Sequence, residues 1–152
     1  AHREGLHTCL DTNGYVKRYT AQFKAMIDAT DLVRLDIKQM DDQKHTELTA
    51  ISNKYTLKLA QWLAEIDKPA WIRYVVLPGY TDAKEDIEAL GAFLQPMQNI
   101  ERVELLPFHQ MGAHKWEVFK DDYQLKDIKP PSAKKLNKII ERLDKYGIEA
   151  SY

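Results

Sequence analysis

A single cysteine, Cys9, in 152 residues excludes an intramolecular disulfide. It equally excludes any all-cysteine zinc or iron–sulfur site built from this chain alone. Charge of one sign is not in excess: 22 Lys and Arg stand against 23 Asp and Glu, a net charge of -1. Nothing in that balance points to nucleic acid or to an anionic membrane surface. Long apolar runs are missing as well. The stretch from Trp71 to Pro78, interrupted by Arg73, is far too short to span a bilayer, and Ala1-His2-Arg3-Glu4-Gly5 has no signal-peptide core. A cytoplasmic protein is the expectation. There is also no Gly-rich phosphate loop and no nucleophile elbow for a Ser/His/Asp triad, and His7, His45 and His114 lack ligand spacing. What is present, 44% hydrophobic and 30% charged residues, suffices for one domain over residues 1–152. The first residue is Ala1 rather than Met, which suggests a chain that begins partway through something longer.

Short β-branched or apolar runs alternate with longer amphipathic stretches, the pattern of repeated βα units around a mostly parallel sheet. The spacing predicts strands at 6–10, 32–38, 70–77, about 100–106 and 148–152. Helices are expected over 15–30 from Val16, Tyr19, Phe23, Met26 and Ile27, and around Leu57 to Ile66 before Pro69 stops the run. Asp82 is a candidate N-cap for a helix carrying Ile87, Leu90, Phe93 and Leu94, and Ser132 for one carrying Leu136, Ile139, Ile140 and Leu143. Residues 41–53 read as a polar connection. Residues 108–131 form an irregular, aromatic stretch too long to be a simple connector. Cys9, inside an apolar strand, is expected in the core.

A strand flanked by helices should be apolar on both faces, so charge within it or at its C-terminal end is informative. Here that position recurs. Asp11 ends the first strand, Asp36 and Lys38 the second, Arg73 lies within the third, and His109 follows the fourth. Each has an ordinary structural explanation when taken singly: a turn cap, a buried ion pair, a loop histidine bonded to a carbonyl. Together they deliver charged groups from four successive βα units to one rim, the edge at which β/α barrels and open α/β sheets bind polar ligands. His114, Lys115 and Trp116, with Tyr123, fit either a loop packed by its own aromatics or a surface that meets a partner.

His7-Thr8-Cys9-Leu10-Asp11-Thr12-Asn13-Gly14, Leu35-Asp36-Ile37-Lys38-Gln39-Met40, the run from Trp71 to Gly79, and Leu105-Leu106-Pro107-Phe108-His109 with Gly112 and His114-Lys115-Trp116 closely resemble the pyruvate formate-lyase activating enzymes. These belong to the radical S-adenosylmethionine enzymes. The resemblance runs in order through Ser52-Asn53, Pro130-Pro131 and the last helix, and it looks like the C-terminal part of that family. It implies an α/β fold, a partial TIM-type (β/α) barrel with a mostly parallel sheet and flanking helices. The family holds a [4Fe-4S] cluster on a Cys-x-x-x-Cys-x-x-Cys motif, and neither this motif nor the family's Gly-Gly-Glu segment occurs here. A complete barrel of this kind runs to roughly 250 residues, so about 100 residues with the first βα units would lie outside this chain.

By motif match, the resemblance implies that Asp36-Ile37-Lys38 contacts S-adenosylmethionine, with Lys38 neutralising its carboxylate and Asp36 near the ribose or a bound cation. His109 would contact the nucleoside, and Arg73 and Val75 would line the same cavity. Asp11, Thr12 and Asp36, with the main-chain carbonyl of Arg34, match a family site for a monovalent cation, and such hard oxygen donors suit an alkali cation rather than a transition metal. The implied reaction is reductive cleavage of S-adenosylmethionine to methionine and a 5'-deoxyadenosyl radical, which abstracts hydrogen from a glycine of pyruvate formate-lyase in anaerobic glucose metabolism. Flavodoxin or ferredoxin would donate the electron. On this reading the chain alone holds no cluster and is inactive. His114, Lys115 and Trp116 are the candidate surface for the glycyl-radical partner. An activase of another glycyl-radical enzyme, or a non-catalytic module binding a nucleoside or the lyase, are the alternatives. An open parallel edge predicts self-association, checked by sedimentation, with a strict monomer at high concentration as the contrary result.

Overall fold

In the computed structural model, residues 1–113, 116, 118 and 122–152 are described. Five parallel strands form one sheet in chain order: β1 (Cys9–Thr12), β2 (Leu32–Asp36), β3 (Ala70–Val76), β4 (Ile100–Pro107) and β5 (Ala150–Ser151). Helices α1 (Ala21–Asp28), α2 (Asp42–Thr49), α3 (Lys54–Glu65), α4 (Lys84–Leu94) and α5 (Ala133–Asp144) occupy the connections. In this strictly sequential order, α1, α3, α4 and α5 pack together against one face of the sheet, the arrangement of a β/α barrel wall.

The burial pattern agrees with that topology. Along β3 the residues alternate buried and half-buried without exception, so Ile72, Tyr74 and Val76 face the helices while Trp71, Arg73 and Val75 face away. Val33, Leu35, Ile37, Ile72, Tyr74, Val103 and Leu105 from the sheet meet Ile27, Leu59, Leu63, Ile87, Leu90 and Ile139 from the helices in one buried cluster. Close packing is strict where backbones approach. A Cβ on Gly14 would stand 2.7 Å from Leu35 Cδ1, and the residue has φ 72°, so the turn after β1 accepts only glycine.

Several elements differ from the periodicity reading. The first strand lies at Cys9–Thr12 rather than 6–10, and α1 begins only after Thr20, whose hydroxyl accepts the Phe23 N–H. Val16 and Tyr19 pack on the core from the preceding loop, with Tyr19 against Trp62, which mimics a helical stripe. Residues 42–49 form a helix although no apolar stripe marks them. The Asp41 side chain caps it by accepting the Lys44 N–H, and Ala50 closes it with φ 62°. Asp82 does not cap α4: its carboxylate accepts the Gly79 N–H and pairs with Lys135 at 2.7 Å. Ser132 does cap α5, accepting the Lys135 N–H.

Cys9 corrects the core expectation. It is exposed, because β1 pairs with β2 on one side only and is an edge strand, with Cys9 at its first position. Among the described residues, no helix is long and apolar enough to cross a membrane, and no group of three or more His, Cys, Asp or Glu is placed to hold a metal ion.

Candidate functional site

The strand-end charges converge through register. In the parallel ladder Asp11 stands beside Arg34, Asp36 beside Arg73, and Arg73 beside Glu104, all on the face that the helices leave open. Arg73 is the centre of this row. Its Nε donates to Asp36 Oδ1 at 2.7 Å, its Nη2 pairs with the same oxygen at 2.7 Å, and Nη2 also donates to Asp11 Oδ1. Lys38 Nζ donates to the other Asp36 oxygen at 3.0 Å. The guanidinium side chain is only 16% exposed, so its fork is held in place by two carboxylates and the surrounding sheet.

The chain beyond β2 is anchored so that Lys38 emerges at the rim. Ile37 turns inward to the core, and its N–H donates to the Arg73 carbonyl, extending the β2–β3 ladder by one bond. Gln39 is fully buried and acts as a clamp: its amide donates to the Tyr80 carbonyl, and its oxygen accepts the N–H groups of Met40 and Asp41. Buried Asn53 donates to the carbonyls of Gln39 and Met40. After β3, Thr81 plays the same part, donating to the Val75 carbonyl and accepting the Leu77 N–H, while buried Tyr74 donates to the Thr81 carbonyl. Burial pushes the Tyr74 hydroxyl well above the usual phenol range, so it remains a donor.

Other predicted residues are placed less tightly. Thr12 pairs with Leu35 in register, on the helix side of β1, and its hydroxyl accepts the Gly14 N–H at 3.0 Å. Val75 is half-buried on the open face one step from Arg73 along the strand's alternation. His109 lies beyond β4 and is exposed; its Nδ1 accepts the Met111 N–H at 3.3 Å, and it shares no hydrogen bond with the Arg73 cluster among the described residues. His114 and Lys115 lie outside the described residues. Trp116 stacks on Tyr123 at 5.6 Å between centroids.

Two charged residues of the open face escaped the motif reading. Glu104 stands next to Arg73 in register and pairs with Arg34 at 3.9 Å and Arg102 at 3.5 Å; Arg102 also covers the Trp71 ring at 4.4 Å. Strand alternation was the signal that could have found Glu104, since it occupies the same parity along β4 as Arg73 along β3 once the register is known.

Chemically, the rim offers an ammonium on Lys38, carboxylate oxygens on Asp11 and Asp36, and a guanidinium on Arg73. Such a set can bind a zwitterionic or hydroxyl-bearing ligand. The positive charge that two adjacent carboxylates call for is supplied by Arg73, so a cation bound between Asp11 and Asp36 has to displace the guanidinium.

No family model matches the chain. It is 44% identical over 145 residues to the pyruvate formate-lyase 1-activating enzyme of Escherichia coli (strain K12), a match covering 95% of this chain and 59% of that enzyme. Against the pyruvate formate-lyase-activating enzyme of Staphylococcus epidermidis it is 43% identical over 131 residues, covering 84% of this chain and 52% of the relative. The chain thus spans between half and three-fifths of the length of these curated relatives. Among solved structures, a domain of a pyruvate-formate lyase-activating enzyme from Bacteroides vulgatus superposes with TM-score 0.80 at 23% identity, over 99% of this chain and 83% of that one. Streptococcus suis SuiB bound to S-adenosylmethionine superposes with TM-score 0.68 at 18% identity, over 99% of this chain and 32% of that chain. These two likenesses establish the fold.

Proposed function

We propose that this chain, a homologue of the pyruvate formate-lyase-activating enzymes over 95% of its length, forms the S-adenosylmethionine-binding rim of a radical enzyme that installs a glycyl radical on pyruvate formate-lyase. The observation that carries the reading is the row Asp11–Arg73–Asp36–Lys38, in which Arg73 from the middle of β3 meets the C-terminal ends of β1 and β2 on the face left open by the helices. When bound and reduced by one electron, S-adenosylmethionine supplies methionine and the 5'-deoxyadenosyl radical that takes hydrogen from the target glycine.

The residues fit the ligand by chemistry. Lys38, about one-third exposed, donates to the methionyl carboxylate, and Asp36 accepts from a ribose hydroxyl or orients through a cation. Val75 supplies an apolar wall, Arg73 holds Asp36 in its rotamer as long as no cation replaces it, and His109 contacts the nucleoside. Ile37 contributes main-chain contact only, its side chain being committed to the core. Asp11 and Asp36, with Thr12 and the Arg34 carbonyl as neutral oxygen donors, would hold an alkali cation in place of the Arg73 guanidinium, in a state in which the Thr12 hydroxyl has also left the Gly14 N–H. One cysteine cannot hold a [4Fe-4S] cluster, so the cluster belongs to residues outside this chain, and the chain alone is inactive. The electron donor, a flavodoxin or ferredoxin, the lyase partner and a cytoplasmic setting belong to the same reading.

Equilibrium dialysis of labelled S-adenosylmethionine against this chain tests it. Lys38→Ala is expected to weaken binding by about tenfold or more, the loss of one charge-assisted contact. Undiminished binding in both Lys38→Ala and Asp36→Asn overturns the assignment.

A further inference from the structure

A second surface is set apart by its charge. Residues 13–27 and 48–64 contain five cations, Lys17, Arg18, Lys24, Lys54 and Lys58, and none of the 23 Asp and Glu, which leaves the rest of the chain with an acidic excess. The fold joins these two stretches. The Thr56 hydroxyl donates to the Asn13 carbonyl at 2.7 Å, clipping the turn after β1 onto the first turn of α3, and Tyr19 and Phe23 pack on Trp62 with centroids 4.6 and 6.0 Å apart. All five cations are exposed, and none forms an ion pair among the described residues.

Aromatic rings bias where the cations stand. Lys17 lies over Tyr15 at 5.5 Å, Lys54 over Tyr55 at 5.0 Å and Lys58 over Tyr19 at 5.8 Å, while Tyr15 and Tyr55 meet edge to face at 5.3 Å. The ammoniums form a like-charged group, with Asp42 near Lys54 and Glu65 near Tyr19 at its margins. Such a group attracts an opposite charge and speeds its encounter.

The rings also discriminate among anions. A nucleic acid stacks its bases on free aromatic faces, but here Tyr15, Tyr19 and Tyr55 each carry an ammonium on one face, and Tyr19 and Phe23 stack on each other. Side-chain carboxylates need no such face. They reach single ammoniums and can also accept from the Tyr15 and Tyr55 hydroxyls, which make no hydrogen bond among the described residues. Tyrosine and arginine are besides the side chains enriched where proteins meet.

We propose that this surface docks an acidic segment of a partner protein, its carboxylates paired with Lys17, Arg18, Lys54 and Lys58 and its chain lying across Tyr15 and Tyr55. The docking surface uses no residue of the rim and can fail without it.

Fluorescence anisotropy of this chain with labelled hexaglutamate, compared with hexaglutamine and hexauridylate at one ionic strength, tests the assignment. Hexaglutamate is expected to bind, hexaglutamine is not, and the affinity is expected to fall severalfold between about 50 and 200 mM salt. Lys17→Glu with Lys58→Glu is expected to weaken binding about tenfold, and the milder Lys17→Gln with Lys58→Gln about threefold. Lys134→Glu with Lys138→Glu, the same charge change at exposed positions of α5, is expected to stay within about twofold of the parent. Circular dichroism confirms the fold of each variant. Unchanged binding in both Lys17 and Lys58 pairs, or an equal loss in the α5 pair, overturns the proposal. Hexauridylate or phosphatidylserine vesicles bound as tightly as hexaglutamate, and released by the same Lys17 and Lys58 reversals, overturn the polypeptide in favour of a nucleic acid or a lipid surface.

Discussion

On the helix-covered face of the sheet, Val33, Leu35, Ile72, Tyr74 and Leu105 are buried in a single apolar cluster; one residue along each of the same strands, Arg34, Asp36, Arg73 and Glu104 form a row of charge on the open face. The two sets have the same backbone, the same ladder and the same neighbours in sequence. They differ in what lies opposite. Helices supply dispersion contacts and exclude water on one side, so apolar volume decides stability there. On the other side the strands face no layer, and pairing among charges decides which side-chain positions persist. Parallel sheets are ordinarily buried on both faces, so an open face lined by ion pairs reads as a place for a ligand rather than as a source of stability.

That contrast can be broken most severely from the apolar side. Leu35→Ala, at a fully buried position in contact with the Gly14 turn, is expected to cost ~2–5 kcal/mol in urea unfolding, with no dependence on salt. A loss under 1 kcal/mol would show that the core is loosely packed at this point. Arg73→Ala acts on the open face. It removes donors shared by two partly solvated carboxylates and is expected to cost about 1.5 kcal/mol, discounted for solvent and shrinking as salt rises. Unfolding midpoints of this variant at low and high ionic strength check the expectation, and a salt-independent loss equal to that of Leu35→Ala would erase the distinction between the faces.

The smallest effect lies at the sheet's edge. Asp31 accepts the Thr8 N–H and hydroxyl and pairs with His2, which holds its carboxyl down at about 2 from an ordinary 3.8. A depressed folded-state value favours the native state above the unfolded value and loses that contribution as pH falls through the folded one. Asp31→Asn is therefore expected to unfold more easily than the parent at neutral pH, with the difference closing between pH 3.8 and about 2. Acid titration of both proteins by circular dichroism measures this, and curves that stay parallel through that window contradict it.

Most elements were legible in the sequence because their signals are local. β2, β3, α3 and α5 each carry an apolar pattern, bounded in the last three by a proline or a cap, and each falls where periodicity places it. Residues 42–49 were read as a connection because a polar helix has no stripe; Asp41, three residues before Lys44, was the only cue. Residues 15–19 imitated helical spacing while packing as a loop. Of the rim, Asp11, Asp36 and Lys38 were visible as charges at strand ends and Arg73 as a charge within a strand, whereas Glu104 was hidden until the strands were aligned.

The sequence by itself determined the βα alternation, the parallel sheet and the chemical identities available at its C-terminal edge, since each depends on residues close together in the chain. Tertiary structure alone decided that Arg73 bridges Asp11 and Asp36, because the bridge depends on the register of three strands separated by helical crossovers. It alone decided that Cys9 is exposed, since burial of a strand depends on its place in the sheet and the layers beside it rather than on its own composition. The half-satisfied carboxylate of Asp86 belongs to the same class: only the assembled fold shows that Lys44 reaches one of its oxygens and that, among the described residues, no donor reaches the other.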